Sequence, residues 1–200
     1  MKDFVKWEKW REARKIVKSC ADWAVLLFTA DKESTLLLEL RKGFDIPVIF
    51  IDTGLYHDDV YQYLELAENH WQFKAVRLKN EEVIKRSKVF GKKECYDLLK
   101  KSILLPYLKK KNFSFLIEPL TTKQLIVTNE DLTEICPLSG FSEFEIWQLI
   151  REHNLPYCDL YNKGYKDVGC EPCSRGAKES EVSEINEKEL QKRLKSLGYL

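Results

Sequence analysis

Residues Ala24–Gly43 read AVLLFTADKESTLLLELRKG, the pattern of a buried strand followed by a turn and a helix. Val25–Phe28 is a short run of branched and aromatic apolar residues, which predicts a buried β-strand. Lys32–Lys42 carries the LLLEL cluster expected of a helix that packs on a sheet, and Gly43 is a suitable end for it. Because such a strand-to-helix turn points backbone N–H groups and a positive dipole end at one place, Thr29–Ser34 is a candidate phosphate site. An ordinary turn without a ligand fits the same pattern.

The rest of the chain continues the alternation of helices and strands. Asp3–Ala21 carries apolar residues at three- and four-residue steps, which predicts an amphipathic helix. Three further apolar runs predict strands at Pro47–Asp52, Phe73–Leu78 and Phe113–Glu118. We therefore expect an α/β fold with a parallel sheet of about five strands, flanked by helices and followed by a C-terminal loop and helix extension.

The segment between the third and fourth predicted strands is harder to interpret. Glu81–Lys93 is polar and is expected to be irregular, with its charges in solvent. Cys95–Lys111 has the pattern of an amphipathic helix. Pro106 is expected to kink that helix or to end its first part, because proline lacks a backbone N–H.

The composition limits the class of protein. Two hundred residues, 44% of them apolar, fit one domain or one domain with a tail. A net charge of +1 gives no support for nucleic-acid binding. The charged N-terminus lacks a signal-peptide core and no apolar run approaches the ~20 residues of a membrane span, so we expect a cytoplasmic protein without a membrane segment. Six cysteines in such a chain suggest thiols, a metal or redox chemistry before disulfides.

The second predicted strand ends in Asp52-Thr53-Gly54. In an open parallel sheet, ligands bind beyond the carboxyl ends of the strands. The turn therefore brings a carboxylate, a hydroxyl and a flexible backbone to the same edge as the Thr29–Ser34 loop. The alternative is that Asp52 only caps the helix that starts near Asp58.

A long stretch near the end of the chain is rich in specific signals. Cys136–Cys173 reads CPLSGFSEFEIWQLIREHNLPYCDLYNKGYKDVGCEPC. Ser142 and Glu145 have the spacing of a capping box at the start of a helix. Cys170 and Cys173 lie three positions apart in a glycine-containing loop, the spacing found in metal knuckles and redox pairs.

This stretch resembles the pattern P-L-x-x-W-T-E-x-D-I-W, followed by L-P-Y-x-x-L-Y-x-x-G-Y-x-x-(I/V)-G-C-x-P-C, of phosphoadenylyl-sulfate (PAPS) reductases and sulfate adenylyltransferase small subunits. The Thr29–Ser34 loop resembles the S-G-G-K-D-S loop of the PP-loop ATP pyrophosphatases, which belong to the same adenine nucleotide alpha hydrolase-like superfamily. The chain is identified as a divergent member. The resemblance implies an adenine-nucleotide-binding domain over residues 1–182 and a helical tail over residues 183–200.

The resemblance implies a nucleotide site at the two strand ends, formed by Thr29, Lys32, Glu33, Ser34, Asp52, Thr53 and Gly54. Lys32 is the best candidate for a catalytic residue. Ala30 and Asp31 replace the two glycines of the family loop, and Asp31 brings a carboxylate to an anion site. The segment after the fourth strand also lacks the family's glycine and arginine, and only Lys123 could supply a positive charge. We therefore expect weaker nucleotide binding than in relatives.

The implied function is an enzyme of sulfur metabolism, a transferase or an oxidoreductase, that acts on ATP, adenylyl sulfate or phosphoadenylyl sulfate. Mg²⁺ is an implied cofactor, a GTPase or a redox protein is an implied partner, and a homodimer also fits. Two other interpretations stay open. One is a catalytically degenerate nucleotide-binding accessory subunit, and the other is a metal or sulfur-transfer protein that uses Cys170 and Cys173.

The cysteines separate the branches of the family. Thiol-dependent reductases use a nucleophilic cysteine in a C-terminal E-C-G segment, and no cysteine follows Cys173 in this sequence. The iron–sulfur branch binds its cluster through a Cys-Cys pair and a C-x-x-C, which Cys95, Cys170 and Cys173 match with one thiolate fewer than the usual four. Zinc, an iron–sulfur cluster and a plain reduced C-x-x-C are the alternatives. The remaining cysteines are expected in the core: Cys20, Cys136 and Cys158.

Overall fold

The four strands indicated by the apolar runs form one sheet with two further strands in a computed structural model, which describes residues 2–87, 92–122, 126–129 and 132–174. Their order across the sheet is β3-β2-β1-β4-β6-β5. The tail predicted over residues 183–200 lies outside the described residues. The strands are β1 (Ala24–Leu27), β2 (Val48–Ile51), β3 (Val76–Leu78), β4 (Phe115–Ile117), β5 (Ile126–Asn129) and β6 (Leu132–Ile135).

Five of these six strands run parallel, which confirms the predicted sheet. The strand β5 pairs antiparallel with β6 at the edge, so that Ile126 lies opposite Ile135 and Asn129 lies opposite Leu132. The strands β5 and β6 were not predicted from the sequence. They read Ile-Val-Thr-Asn and Leu-Thr-Glu-Ile, and two apolar residues in each are too few to indicate a strand.

Alternate residues of β1 pack on opposite faces of the sheet. Leu26 belongs to the apolar cluster on one face, and Val25 and Leu27 belong to the cluster on the other. All three side chains are buried. A strand that is covered on both faces reads as a continuous apolar run, which explains why this stretch indicated the fold so clearly.

Helices cover both faces of the sheet. The Leu26 face carries α1 (Lys2–Cys20), α2 (Lys32–Arg41), α3 (Asp58–His70) and α7 (Glu143–Glu152). The Val25 face carries α4 (Glu81–Ser87), α5 (Lys92–Leu99) and α6 (Leu105–Lys111). A 3₁₀ turn, Ala21–Trp23, joins α1 to β1, and the four-residue α8 is Glu171–Ser174. None of the helices in the described part of the chain is long and apolar enough to cross a membrane.

The expectation of an irregular segment over Glu81–Lys93 is wrong for its described part, since Glu81–Ser87 forms α4. The side chain of Asn80 accepts a hydrogen bond from the N–H of Val83 at 3.1 Å, which caps the helix. Ile84 is buried in the apolar cluster of the Val25 face. A helix of this length presents one buried residue, so its apolar periodicity could not be recognised.

The backbone stays helical through Pro106, and a π-helical turn just before it separates α5 from α6. Pro106 lies in the first turn of α6, and the five residues before α6, Lys100–Leu104, form the π-helical turn. Proline has no N–H to donate to the carbonyl four residues earlier, which favours a wider turn just before it.

The π-helical turn buries a lysine between two glutamates. Lys100 Nζ lies 2.8 Å from a carboxylate oxygen of Glu118, just after β4, and 2.8 Å from one of Glu134, on β6. The Tyr96 hydroxyl donates to the same Glu118 oxygen at 2.7 Å. Glu118 is 0% exposed and Lys100 is 8% exposed. This polar cluster therefore ties the π-helical turn to two strands inside an otherwise apolar face.

Candidate functional site

The order of the strands creates a crevice at the carboxyl edge of the sheet. The order reverses between β1 and β4, and ligands of open α/β sheets bind at such a reversal. Thr29–Lys32 follows β1, Glu118 follows β4, and Asp52 follows the neighbouring parallel strand β2. The fold thus places the predicted loop and the Asp52 turn at the same edge.

The loop after β1 turns at Ala30. This residue has a φ of 63°, a left-handed conformation that glycine adopts at little cost and alanine does not. Its methyl group is fully buried. The position that the first family glycine would occupy therefore requires a left-handed backbone in this chain, which has alanine there.

Asp31 is the N-cap of α2. Its Oδ1 accepts a hydrogen bond from the Ser34 N–H at 2.7 Å, and its Oδ2 accepts one from the Thr29 hydroxyl at 2.8 Å. Its backbone carbonyl accepts hydrogen bonds from the hydroxyls of Ser34 and Thr35 at 3.0 and 2.9 Å. The carboxylate that replaces the second family glycine therefore already binds the positive end of the helix.

Lys32 places a buried cation beside this end of α2. Its side chain is 7% exposed, and its Nζ lies 3.5 Å from a carboxylate oxygen of Glu33 and 3.4 Å from one of Glu143. The Nζ also lies 5.4 Å from the centre of the Tyr161 ring, within cation–π distance. The backbone N–H of Lys32 donates to the Tyr161 hydroxyl at 3.0 Å. One ammonium group thus faces two carboxylates and an aromatic ring.

Burial controls the protonation of the loop. It raises the pKa of Asp31, although hydrogen bonds from Ser34 and Thr29 act in the opposite direction. Burial, followed by the charge of Asp31, raises the pKa of Glu33 to about 7. Burial also raises the pKa of the Tyr161 hydroxyl well above its ordinary value. Tyr161 therefore stays neutral, whereas Glu33 changes its charge near neutral pH.

Asp52, Thr53 and Gly54 form a tight turn after β2. Asp52 Oδ1 accepts hydrogen bonds from the Gly54 N–H at 2.9 Å and from the Tyr61 hydroxyl at 2.8 Å. Gly54 has a φ of 65°, which only glycine adopts without strain. The N-cap of α3 is His57, so the alternative that Asp52 caps this helix is wrong.

Thr53 connects this turn to the C-x-x-C segment. Its Oγ1 lies 3.0 Å from Cys170 Sγ. Cys170 forms an isolated β-bridge with Tyr56, and the Glu171 N–H donates to the Leu55 carbonyl at 2.7 Å. The first cysteine of the motif therefore lies beside the residues that the sequence assigns to the nucleotide.

The other four cysteines of the described residues differ in burial. Cys20, Cys136 and Cys158 are buried, as predicted. Cys95 is half-buried and packs against the apolar cluster of the Val25 face.

Among the described residues, no group of three or more His, Cys, Asp or Glu side chains is arranged to hold a metal ion. The side chain of Cys173 lies outside that description. Shared ligation by Cys95, Cys170 and Cys173 therefore stays a prediction, and we derive no chemical step through a metal.

Two residues that contact Lys32 were not among the predicted site residues. Tyr161 follows Lys32 by 129 residues, and Glu143 lies in the first turn of α7. Both belong to the Cys136–Cys173 stretch, whose resemblance to a family was the available signal. A sequence pattern does not show which of its side chains reach the loop after β1. The contacts of Tyr161 and Glu143 with Lys32 could therefore not be predicted from it.

A family model described as the phosphoadenosine phosphosulfate reductase domain matches residues 24–176. The chain belongs to the phosphoadenosine phosphosulfate reductase family. The matched residues begin at β1 and end just after α8, so they include the Lys32 loop, the Asp52 turn and the C-x-x-C segment. The resemblance inferred from the sequence is thereby confirmed.

Relatives of this reductase-family chain match most of its length. An adenosine 5'-phosphosulfate reductase of Halalkalibacterium halodurans is 30% identical over 197 residues, covering 90% of this chain and 82% of that protein. An adenosine 5'-phosphosulfate reductase 2 of Bacillus subtilis is 28% identical over 196 residues, covering 86% of this chain and 78% of that protein.

Solved structures agree with the fold of this reductase-family member. The phosphoadenylyl-sulfate reductase of Candida auris superimposes with a TM-score of 0.68 at 16% identity, covering 82% of this chain and 90% of that chain. The NH3-dependent NAD synthetase of Campylobacter jejuni superimposes with a TM-score of 0.57 at 14% identity, covering 80% and 76%. At these identities the likeness concerns the fold, and it confirms the predicted adenine nucleotide alpha hydrolase-like sheet.

Proposed function

We propose that this protein binds an adenine nucleotide of sulfur metabolism, with the anionic group of the nucleotide at the Lys32 end of α2. The observation that supports this most is the buried Lys32 ammonium at a helix N-terminus, where the strand order reverses. Both features favour an anion. The structural neighbour from Candida auris is a phosphate complex, which agrees with an anion site in this fold.

The nucleotide would lie between the Thr29–Ser34 loop and the Asp52–Gly54 turn. Lys32 would compensate the negative charge that develops on the leaving group. Gly54 leaves the backbone of the turn accessible, because a Cβ there would meet no atom within 4 Å. The full set of proposed binding residues is Thr29, Lys32, Glu33, Ser34, Asp52, Thr53 and Gly54.

The proposed substrates are adenylyl sulfate, phosphoadenylyl sulfate and ATP. Adenylyl sulfate is the first to test, because two relatives are named as adenosine 5'-phosphosulfate reductases. Reductive release of sulfite consumes two electrons, so this reaction requires a dithiol reductant or a redox partner protein. The alternative reaction joins sulfate to ATP, releases pyrophosphate and implies a GTPase partner.

Calorimetric titration of the purified protein with the three nucleotides tests the proposal. We expect adenylyl sulfate to bind at one site. Sulfite release with a dithiol reductant, and pyrophosphate release from ATP and sulfate, then distinguish the two reactions. If none of the three nucleotides bound, the proposal would be contradicted.

A second candidate function is a nucleotide-binding accessory subunit without turnover. The contact of Asp31 with the Ser34 N–H favours it, because a carboxylate already occupies the end of α2 that a reacting phosphate would use. Nucleotide binding without release of either sulfite or pyrophosphate is the result expected of such a subunit.

We also propose that Cys95, Cys170 and Cys173 act as one thiol group near the cleft. Cys95→Ser and Cys170→Ser should then each lower the metal content or the thiol reactivity of anaerobically purified protein. Cys20→Ser is the control and should change neither, because Cys20 is buried in α1 and burial raises the pKa of its thiol to about 11. If Cys170→Ser alone had an effect, shared ligation with Cys95 would be ruled out.

A further inference from the structure

Oxygen atoms of the chain itself occupy the positive end of α2. The Ser34 N–H donates to Oδ1 of Asp31 at 2.7 Å, and the Lys32 N–H donates to the Tyr161 hydroxyl at 3.0 Å. The Thr35 N–H donates to the Asp31 carbonyl at 3.0 Å. The N–H groups that an incoming anion would use therefore already have internal partners.

Tyr161 reaches this position from a distant part of the chain. Its ring meets that of Trp147, on α7, edge to face, with centroids 4.9 Å apart and an angle of 88°. The ring of Tyr157 lies 6.4 Å from it. These contacts involve the ring and not the hydroxyl. The hydrogen bond to Lys32 can thus be removed without removing the aromatic packing.

We propose that Asp31 and Tyr161 are autoinhibitory: the anionic group of a nucleotide binds at α2 only by displacing the Tyr161 hydroxyl and by competing with the Asp31 carboxylate. The inference rests on the proposed function, because it concerns the same anion site. Two anions at one helix end repel each other and need the same N–H groups. The protein thus holds the site closed in the absence of a ligand.

Proton uptake accompanies displacement of Asp31. Burial raises the pKa of this carboxyl, and a bound anion raises it further, so anion binding and protonation of Asp31 are linked. Glu33, with a pKa of about 7, also titrates nearby. A Glu33→Gln variant therefore separates the two contributions. Among the described residues, the charged or titratable groups that interact electrostatically with Asp31 are Lys32 and Glu33 on α2, Tyr63 on α3, Tyr56 after β2, and Tyr161.

Calorimetric titration of the full chain with inorganic sulfate and with adenylyl sulfate tests the inference. Asp31→Asn keeps the shape of the side chain and removes its charge, so sulfate should bind at least about tenfold more tightly. Tyr161→Phe removes only the hydroxyl, and sulfate should bind about fivefold more tightly. Titration in buffers of different ionisation enthalpy should show proton uptake by the wild-type protein and less uptake by Asp31→Asn.

Tyr63→Phe is the matched control. Tyr63 is a buried tyrosine near the same loop, but its hydroxyl pairs with the Thr35 hydroxyl at 2.6 Å and the Pro156 carbonyl at 3.0 Å. Loss of the Tyr63 hydroxyl removes two hydrogen bonds, but it takes no partner away from an N–H group at the N-terminus of α2. We expect lower stability in this variant and an unchanged affinity for sulfate.

The outcomes separate the inference from the function on which it rests. If Asp31→Asn and Tyr161→Phe bound sulfate no more tightly than the wild-type protein, while Lys32→Met weakened binding, the autoinhibition would be overturned and the proposed function would stand. If neither the wild-type protein nor any variant bound sulfate or adenylyl sulfate, both would fall. Binding by the two variants alone would support autoinhibition most strongly. Tyr161→Phe, which keeps the aromatic packing, decides the question even if Asp31→Asn fails to fold.

Discussion

Replacement of Lys32 by methionine is expected to weaken the binding of adenylyl sulfate by about tenfold to about a hundredfold, the range for loss of one charge-assisted hydrogen bond. Methionine retains an unbranched side chain and removes the ammonium group. Lys32 is buried, so water cannot screen its charge as it screens that of a surface lysine. Calorimetric titration with adenylyl sulfate measures the effect.

Lys42→Met is the matched control for this experiment. Lys42 follows the other end of α2, its side chain is 68% exposed, and its Nζ lies 3.5 Å from Glu39. The same substitution there should leave the affinity for adenylyl sulfate unchanged. If Lys32→Met bound adenylyl sulfate as tightly as the wild-type protein, Lys32 would not belong to the anion site.

The parallel sheet could be predicted because its central strands are buried on both faces. Val48–Ile51 consists of four apolar residues, and such a run indicates a strand that is buried on both faces. The helix α4 and the strands β5 and β6 could not be predicted, because each depends on its neighbours. Ile84 is a single apolar anchor in α4, and β5 owes its structure to pairing with β6.

The candidate site could be predicted to the extent that its residues follow strands. Lys32 and Asp52 each come just after an apolar run, so their common edge followed from the parallel order. The role of Asp31 could be predicted only in part. Its charge opposes an anion, but its position as the N-cap depends on backbone angles that include the positive φ of Ala30. The contact of Tyr161 with Lys32 joins residues that only the folded chain brings together.

Replacement of Lys100 by methionine is expected to lower the free energy of unfolding by about 3 kcal/mol, the cost typical of breaking a buried ion pair. The ammonium group of Lys100 lies 2.8 Å from Glu118 and 2.8 Å from Glu134. Methionine fills similar space, so loss of the charge and not a cavity causes the effect. Without the ammonium, two carboxylates share a buried site. Urea denaturation followed by circular dichroism measures the change.

Lys101→Met controls for the loss of a lysine from the same π-helical turn. Lys101 is exposed, so its replacement should change the free energy of unfolding by less than about 0.5 kcal/mol. Adding Glu118→Gln and Glu134→Gln to Lys100→Met should recover part of the lost stability, because neutral amides cost less to bury than carboxylates. A loss below about 1 kcal/mol for Lys100→Met would show that other contacts hold the two carboxylates, and that the lysine is not what compensates their charge.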